Sequence, residues 1–135
     1  MGRHEALGDG LVIQCCDDKP TYFDRFNALM RETDILWTKP SELTFYSALG
    51  LPIVMAPPIG SQESKNMRWL TDKGCAVPQY QPRAALEWLL DLIEDGVFAE
   101  KAIAGFIKNR KLGVLKIEEV LATGAMPREK NPLRR

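Results

Sequence analysis

The stretch DILWTKPSELTFYSALGLPIVMAPPIGSQESKNMRWLTDKGCAV, Asp34 to Val77, decides the fold. It holds the apolar runs Asp34 to Thr38 and Pro52 to Ala56 and enters a third, Cys75 to Gln79. Each is nearly continuous in apolar residues, the pattern of parallel strands covered on both faces. Between them lie two helical stretches. Leu43, Tyr46, Ser47 and Leu49 recur at helical spacing, with Gly50 placed to end that helix in the left-handed conformation. Ser61 is the expected N-cap of the next helix, which continues through Met67 and Leu70 to a terminating Gly74. Strand, helix, strand, helix, strand is the order of a parallel sheet with crossover helices.

The same alternation continues outward. Upstream, Leu11 to Cys16 reads as one more buried strand, and Tyr22, Phe23, Phe26, Leu29 and Met30 as the helix that follows it. That makes four strands and three successive βαβ units. Downstream the strands stop. Pro82 opens a helix with an apolar stripe of Ala85, Leu86, Leu89, Leu92 and Ile93, while Glu87, Asp91, Glu94 and Asp95 face water. Gly96 ends it, Phe98 to Lys108 forms a second helix, and Ile117 to Leu121 supports a third. The expected fold is α/β: a Rossmann-like parallel sheet of about four strands with crossover helices and a helical C-terminal segment. Residues 1–126 read as a single domain, and 127–135, with two prolines, as a flexible tail.

Composition narrows the function. The chain has 135 residues, enough to bury roughly two-thirds of its unfolded surface without disulfides or metal. Its 18 Lys plus Arg balance 18 Asp plus Glu, which argues against nucleic acid as a partner. No run is long and apolar enough for a spanning helix, and Met1 to Gly10, with Glu5 and Asp9, has no apolar signal region. Cys15, Cys16 and Cys75 have no metal-ligand spacing, so a reduced, cytoplasmic setting is expected, with Cys15 and Cys16 as small buried hydrophobes. Lys101, Lys108, Arg110, Lys111 and Lys116 occur with no acid among them. They suit an anionic membrane surface, at most a peripheral contact, or more simply the C-terminal end of a helix dipole. Trp69 and Trp88 sit at helical positions and are expected to pack between helix and sheet.

Ligands of an open parallel sheet bind beyond the carboxyl ends of its strands. Two turns fall there. Thr38-Lys39-Pro40-Ser41-Glu42 joins a strand to a helix and offers free N–H groups, hydroxyls and one cation, a setting suited to phosphate and equally to ordinary helix capping. Ala56 to Asn66 is a loop stiffened by Pro57 and Pro58, in which Gly60 gives backbone freedom and Gln62 and Glu63 offer an amide and a carboxylate to a polyhydroxyl ligand. Asp17 and Asp18 are accounted for by the start of a helix, with no third metal ligand near.

Together, these residues resemble the C-terminal half of GT-B glycosyltransferases, in the branch of the bacterial lipid-intermediate N-acetylglucosaminyl transferase and the plastid monogalactosyldiacylglycerol synthases. The resemblance rests on Lys39 to Glu42, on Gly50-Leu51-Pro52, and on Gly60-Ser61-Gln62-Glu63-Ser64-Lys65-Asn66 as a G-x-Q-E-x-x-N helix start. It covers roughly half the chain. It implies a nucleotide-sugar donor, a UDP-sugar first, held by Thr38, Lys39, Ser41, Glu42, Gly60, Ser61, Gln62 and Glu63. Lys39 to Glu42 would face the diphosphate and ribose, Gln62 and Glu63 would bond sugar hydroxyls, and Asn66 would hold the loop. No metal or cofactor is implied, because helix N-termini and cations stabilise the departing diphosphate in that fold.

The resemblance also implies what this chain would lack. Phe45 stands where the family helix carries an acid five positions before the glycine of GLP, with Glu42 one turn earlier. Met1 to Gly10 does not supply the family's first strand and glycine-rich turn, so the domain is expected to be incomplete on its N-terminal side. The catalytic base belongs to a separate acceptor half, and His4 is a poor candidate for that role. No catalytic residue is therefore expected here. The chain reads as a fragment or subunit that meets an acceptor-domain partner chain, or as a homodimer joined through an open sheet edge. The alternative is a non-catalytic interaction or regulatory domain that keeps the fold without binding donor.

Overall fold

A computed structural model of the chain describes residues 4–6, 10–41 and 43–125, the first three by backbone alone. The chain divides into two compact units, Met1–Asp34 and Ile35–Arg135. The expected flexible tail lies outside the described residues.

In the first unit, β1 (His4–Ala6) pairs antiparallel with β2 (Val12–Gln14) in the register His4 to Gln14 and Ala6 to Val12. This corrects the expected buried parallel strand at Leu11 to Cys16. Leu11, Val12 and Ile13 are all exposed, Cys15 is exposed and Cys16 half-buried. The reason is local: a hairpin can pair neighbouring segments, whereas a parallel partner needs a crossover of a dozen residues or so. Helix α1 (Lys19–Met30) follows, and Asp18 caps it by accepting from the Thr21 backbone N–H at 2.9 Å and the Thr21 hydroxyl at 2.8 Å. Those bonds to the ionised form hold the Asp18 carboxyl below its ordinary pKa, the backbone bond contributing most. Tyr22 stacks on Phe26, and no residue of α1 is buried.

The second unit holds the core. Three parallel strands, β3 (Leu36–Thr38), β4 (Ile53–Met55) and β5 (Ala76–Pro78), lie in the order β3-β4-β5. Helix α2 (Leu43–Ala48) connects the first pair and α3 (Ser61–Lys73) the second. There are thus two βαβ units rather than three, because the first apolar run pairs elsewhere. The register is direct: Leu36 opposite Ile53 opposite Ala76, and Thr38 opposite Met55 opposite Pro78.

Both faces of this sheet are covered, as its continuous apolar runs require. Ile53, Met55 and Ala76 pack with Leu43, Leu70 and Cys75 under α2 and α3. Val54 and Val77 point the other way, against Trp88 and Phe98. These come from α4 (Ala85–Glu94), which follows a 3-10 turn at Pro82–Ala84, and from α5 (Val97–Lys108). Helix α6 (Gly113–Thr123) ends the described chain. Gly50, Gly74 and Gly96 all take positive φ at the ends of α2, α3 and α4.

Two helical details differ from expectation. The α4 stripe turns on Trp88, whose indole N–H donates to the Gln81 carbonyl at 3.0 Å, with Ala85, Leu89 and Leu92 beside it; Leu86 and Ile93 are exposed. Trp69 is exposed rather than packed on the sheet, with the Lys73 ammonium 3.9 Å from its ring centre. Among the described residues no helix is long and apolar enough to cross a membrane.

Candidate functional site

The carboxyl ends of β3 and β4 deliver both turns to one edge of the sheet. Past Thr38 the chain bends tightly, Ser41 N–H donating to the Lys39 carbonyl at 2.8 Å, and Pro40 is fully buried beneath the bend. Thr38 is half-buried, while Lys39 and Ser41 are exposed. Glu42 lies outside the described residues. Past Met55, the Ala56 N–H still reaches the Thr38 carbonyl at 2.8 Å, tying the second loop to the first at its root.

The second loop enters α3 through Gly60, at φ 90° and ψ 175°, a conformation that L side chains rarely adopt. Gly60 is the N-cap, so Ser61 becomes the first helical residue instead of the cap. The cap is built from the other direction: Glu63 reaches back and accepts from the Ile59 N–H at 2.6 Å, and the Ser64 hydroxyl donates to the Gly60 carbonyl at 2.9 Å. Gly60 has no side chain to cap the first N–H groups of α3. Ser61 and Gln62 are exposed and Glu63 half-buried.

Asn66, one turn further along α3, joins the two turns. Its side-chain amide donates to the Pro40 carbonyl at 3.1 Å and the Ser41 carbonyl at 3.0 Å. Both acceptors are main-chain atoms, so the side chain fixes the path of the first turn whatever residues occupy it. Beside Ser41, a surface cavity of about 360 Å³ is lined by Ser41, Thr44, Phe45 and Tyr46. Phe45 is 61% exposed there, its ring edge-on to Tyr46.

Three features at this end of the unit have no counterpart in the sequence expectations. The Trp37 indole N–H donates to the Gln79 side-chain oxygen at 2.7 Å, linking the ends of β3 and β5. Trp37 and Tyr80 each meet Trp88 edge-on, at 5.3 and 5.6 Å between ring centres. Their signal was an aromatic and an amide one position inside and one beyond the strand ends.

Behind α2, the Asn109 amide donates to the buried Ser47 hydroxyl at 2.8 Å and its oxygen accepts from Lys73 at 3.0 Å. Desolvation is the main reason the Lys73 pKa falls below its ordinary value. Gly105 permits this approach, since a Cβ there would lie 2.5 Å from both the Ser47 carbonyl oxygen and its hydroxyl. Among the described residues no cluster of three His, Cys, Asp or Glu side chains is placed to hold a metal ion.

Chemically, the edge offers main-chain N–H groups at the start of α3, hydroxyls from Thr38, Ser41 and Ser61, the Gln62 amide and the Lys39 cation. That set suits an anionic, hydroxyl-rich ligand and supplies no nucleophile poised by a neighbouring base.

A family described as "Domain of unknown function (DUF6938)" matches residues 3–116. The chain is also similar to the processive diacylglycerol beta-glucosyltransferase of Bacillus subtilis (strain 168), 32% identical over 76 residues, 55% of this chain and 20% of that enzyme. The enzyme of the same description from Bacillus licheniformis is 30% identical over 105 residues, 76% of this chain and 26% of the relative. That from Bacillus cereus (strain 03BB102) is 33% identical over 85 residues, 56% of this chain and 21% of the relative. The chain thus spans between a fifth and about a quarter of the length of these relatives. No solved structure matches it. The sequence relationship is to glycosyltransferases.

Proposed function

We propose that this chain, which belongs to the family described as Domain of unknown function (DUF6938), is a nucleotide-sugar-binding domain of the GT-B kind, a fragment or subunit of a glycosyltransferase. The observation that carries the reading is the pair of Asn66 bonds to the Pro40 and Ser41 carbonyls, which hold two ligand-type turns together where adjacent parallel strands end. Support also comes from the similarity to glycosyltransferases over a span that includes more than half the chain.

On this reading the diphosphate and ribose of a UDP-sugar meet Thr38, Lys39, Ser41 and Glu42, and the sugar meets Gly60, Ser61, Gln62 and Glu63. Glu63 also holds the loop, one of its two carboxylate oxygens accepting the Ile59 N–H. Transfer requires that negative charge on the departing diphosphate be stabilised, and Lys39 with the first N–H groups of α3 are suited to that task. These groups bind and orient; none of them removes a proton from an acceptor hydroxyl. An acceptor-bearing chain or domain must therefore face this edge for glycosyl transfer, in the cytoplasm where nucleotide sugars are made.

The second reading is a non-catalytic interaction domain that keeps the fold. It is favoured by Phe45, apolar and exposed at the position where the donor family has an acid. Titration of the full chain with UDP-sugars separates the two. Saturable binding that Gln62→Ala weakens supports the donor site, and its absence supports the interaction domain.

A further inference from the structure

Phe45 is a large apolar side chain that the packing of its own helix leaves out. Helix α2 meets the core through Leu43, Ser47 and Ala48, all buried, while Phe45 is 61% exposed. Its ring meets Tyr46 at 73°, with 5.5 Å between ring centres, and lines the surface cavity of about 360 Å³ beside Ser41. That volume is in the range of small-ligand sites. Among the described residues, those lining the cavity carry no charge, and the exposed Ser41 and Thr44 bring hydroxyls that donate or accept. A phosphate finds no cation in this wall, and a metal ion finds no carboxylate, thiolate or imidazole. A flat, neutral ring with polar edges suits both the exposed aromatic ring and the hydroxyls beside it.

In a nucleotide sugar the sugar, diphosphate, ribose and base follow one another in a single line. With the sugar at the start of α3 and the diphosphate and ribose along Thr38 to Glu42, the base comes next, beyond Ser41 on the α2 side. Ser41 belongs both to that turn and to the cavity wall, so the cavity continues the same edge of the unit. We propose that Phe45 is the platform on which the base of a nucleoside diphosphate sugar stacks, with the Ser41 and Thr44 hydroxyls at the edges of the base. This role rests on the donor reading of the two turns and adds to it the residue that holds the nucleoside. Phe45 binds and orients and takes no part in bond making. Stacking on one ring accepts any base, which leaves selection among bases to the two hydroxyls.

Calorimetric titration of the full chain with UDP and with UDP-glucose tests it. Phe45→Ala should weaken both by about tenfold, the worth of one stacked base. Phe45→Leu, apolar without an aromatic ring, should lose as much, and Phe45→Trp should bind as tightly as the parent. Melting temperatures should stay near the parent's, because Phe45 belongs to neither core cluster. Fluorescence of the Phe45→Trp protein gives a second readout: UDP should quench its added indole emission beyond any change in the parent. Affinity for UDP that Phe45→Ala or Phe45→Leu leaves at the parent's level overturns the stacking role while the donor reading stands. So does a Phe45→Trp protein that binds UDP without added quenching. Absence of saturable binding of either ligand by the folded parent overturns the donor reading and this role with it.

Discussion

Asn66 on α3 donates its side-chain amide to the carbonyl oxygen of Ser41 at 3.0 Å, 25 residues back along the chain and at the mouth of the neighbouring strand. The same nitrogen reaches the Pro40 carbonyl at 3.1 Å. Replacing it by Ala removes both bonds and should cost about 1–2 kcal/mol of unfolding free energy. Asn66→Asp should cost more, because a carboxylate turned toward two carbonyl oxygens has nothing to donate. Urea unfolding of the two variants measures this. An Asp variant as stable as the parent would contradict the assigned bonds.

Gly105→Ala tests the closest approach in the second unit. The new methyl would meet a main-chain oxygen of Ser47, which cannot swing aside as a flexible side chain would. A loss of about 1–3 kcal/mol is expected. The companion Ser47→Gly should recover only part of it, since the carbonyl obstacle remains. A neutral Gly105→Ala would mean that α5 does not lie against α2 at this distance.

Ser47 and Asn109 should couple. Each is buried and each satisfies the other, so either single change to an apolar residue strands a polar group and should cost about 1–3 kcal/mol. The double variant should cost clearly less than the sum of the two. Strict additivity in a double-mutant cycle would remove the bond from the account.

The Asp18 cap predicts a pH dependence. The folded state favours the ionised carboxyl, so its stabilising effect is fully present above the unfolded carboxylate range and is lost as pH falls through the lowered folded value. Asp18→Asn caps equally well without titrating. Melting temperatures of parent and Asn variant should therefore lie close together at neutral pH and diverge as pH falls below the ordinary aspartate value of 3.8, the parent losing its cap while the Asn variant keeps it. A gap that stays constant through that range would show that the carboxylate is not the acceptor.

What the sequence reveals follows from how local each signal is. Ile53 to Met55 reads as a strand buried on both faces because a continuous apolar run between two helices has few other uses, and all three residues are fully buried. Gly50, Gly74 and Gly96 mark helix ends because a left-handed residue is needed there. The run at Leu11 to Cys16 looks the same by composition, yet it lies exposed in a hairpin. Composition does not name a strand's partner, and His4–Ala6 carries no comparable apolar signal.

In the candidate site, the turn residues are legible as polar groups at strand ends. Their junction is not, because Asn66 acts on carbonyl oxygens, which every residue has. Glu63 shows the reverse difficulty: its chemistry suggests a ligand group, and nothing in the sequence shows that one of its carboxylate oxygens also accepts the Ile59 N–H. Ser47 and Asn109 lie 62 residues apart, and nothing in either neighbourhood marks them as partners.

Donor binding at the two turns can be measured by calorimetric titration of the full chain with a UDP-sugar. The expected result is saturable binding in the micromolar to millimolar range, about −8 to −4 kcal/mol. Gln62→Ala, at an exposed position outside every packing contact described, should weaken it without moving the melting temperature. Gln62→Ala combined with Glu63→Ala should weaken it further, with some loss of stability from the freed Ile59 N–H. Absence of saturable binding to any nucleotide or sugar nucleotide, by a chain whose fold is intact, would contradict the account.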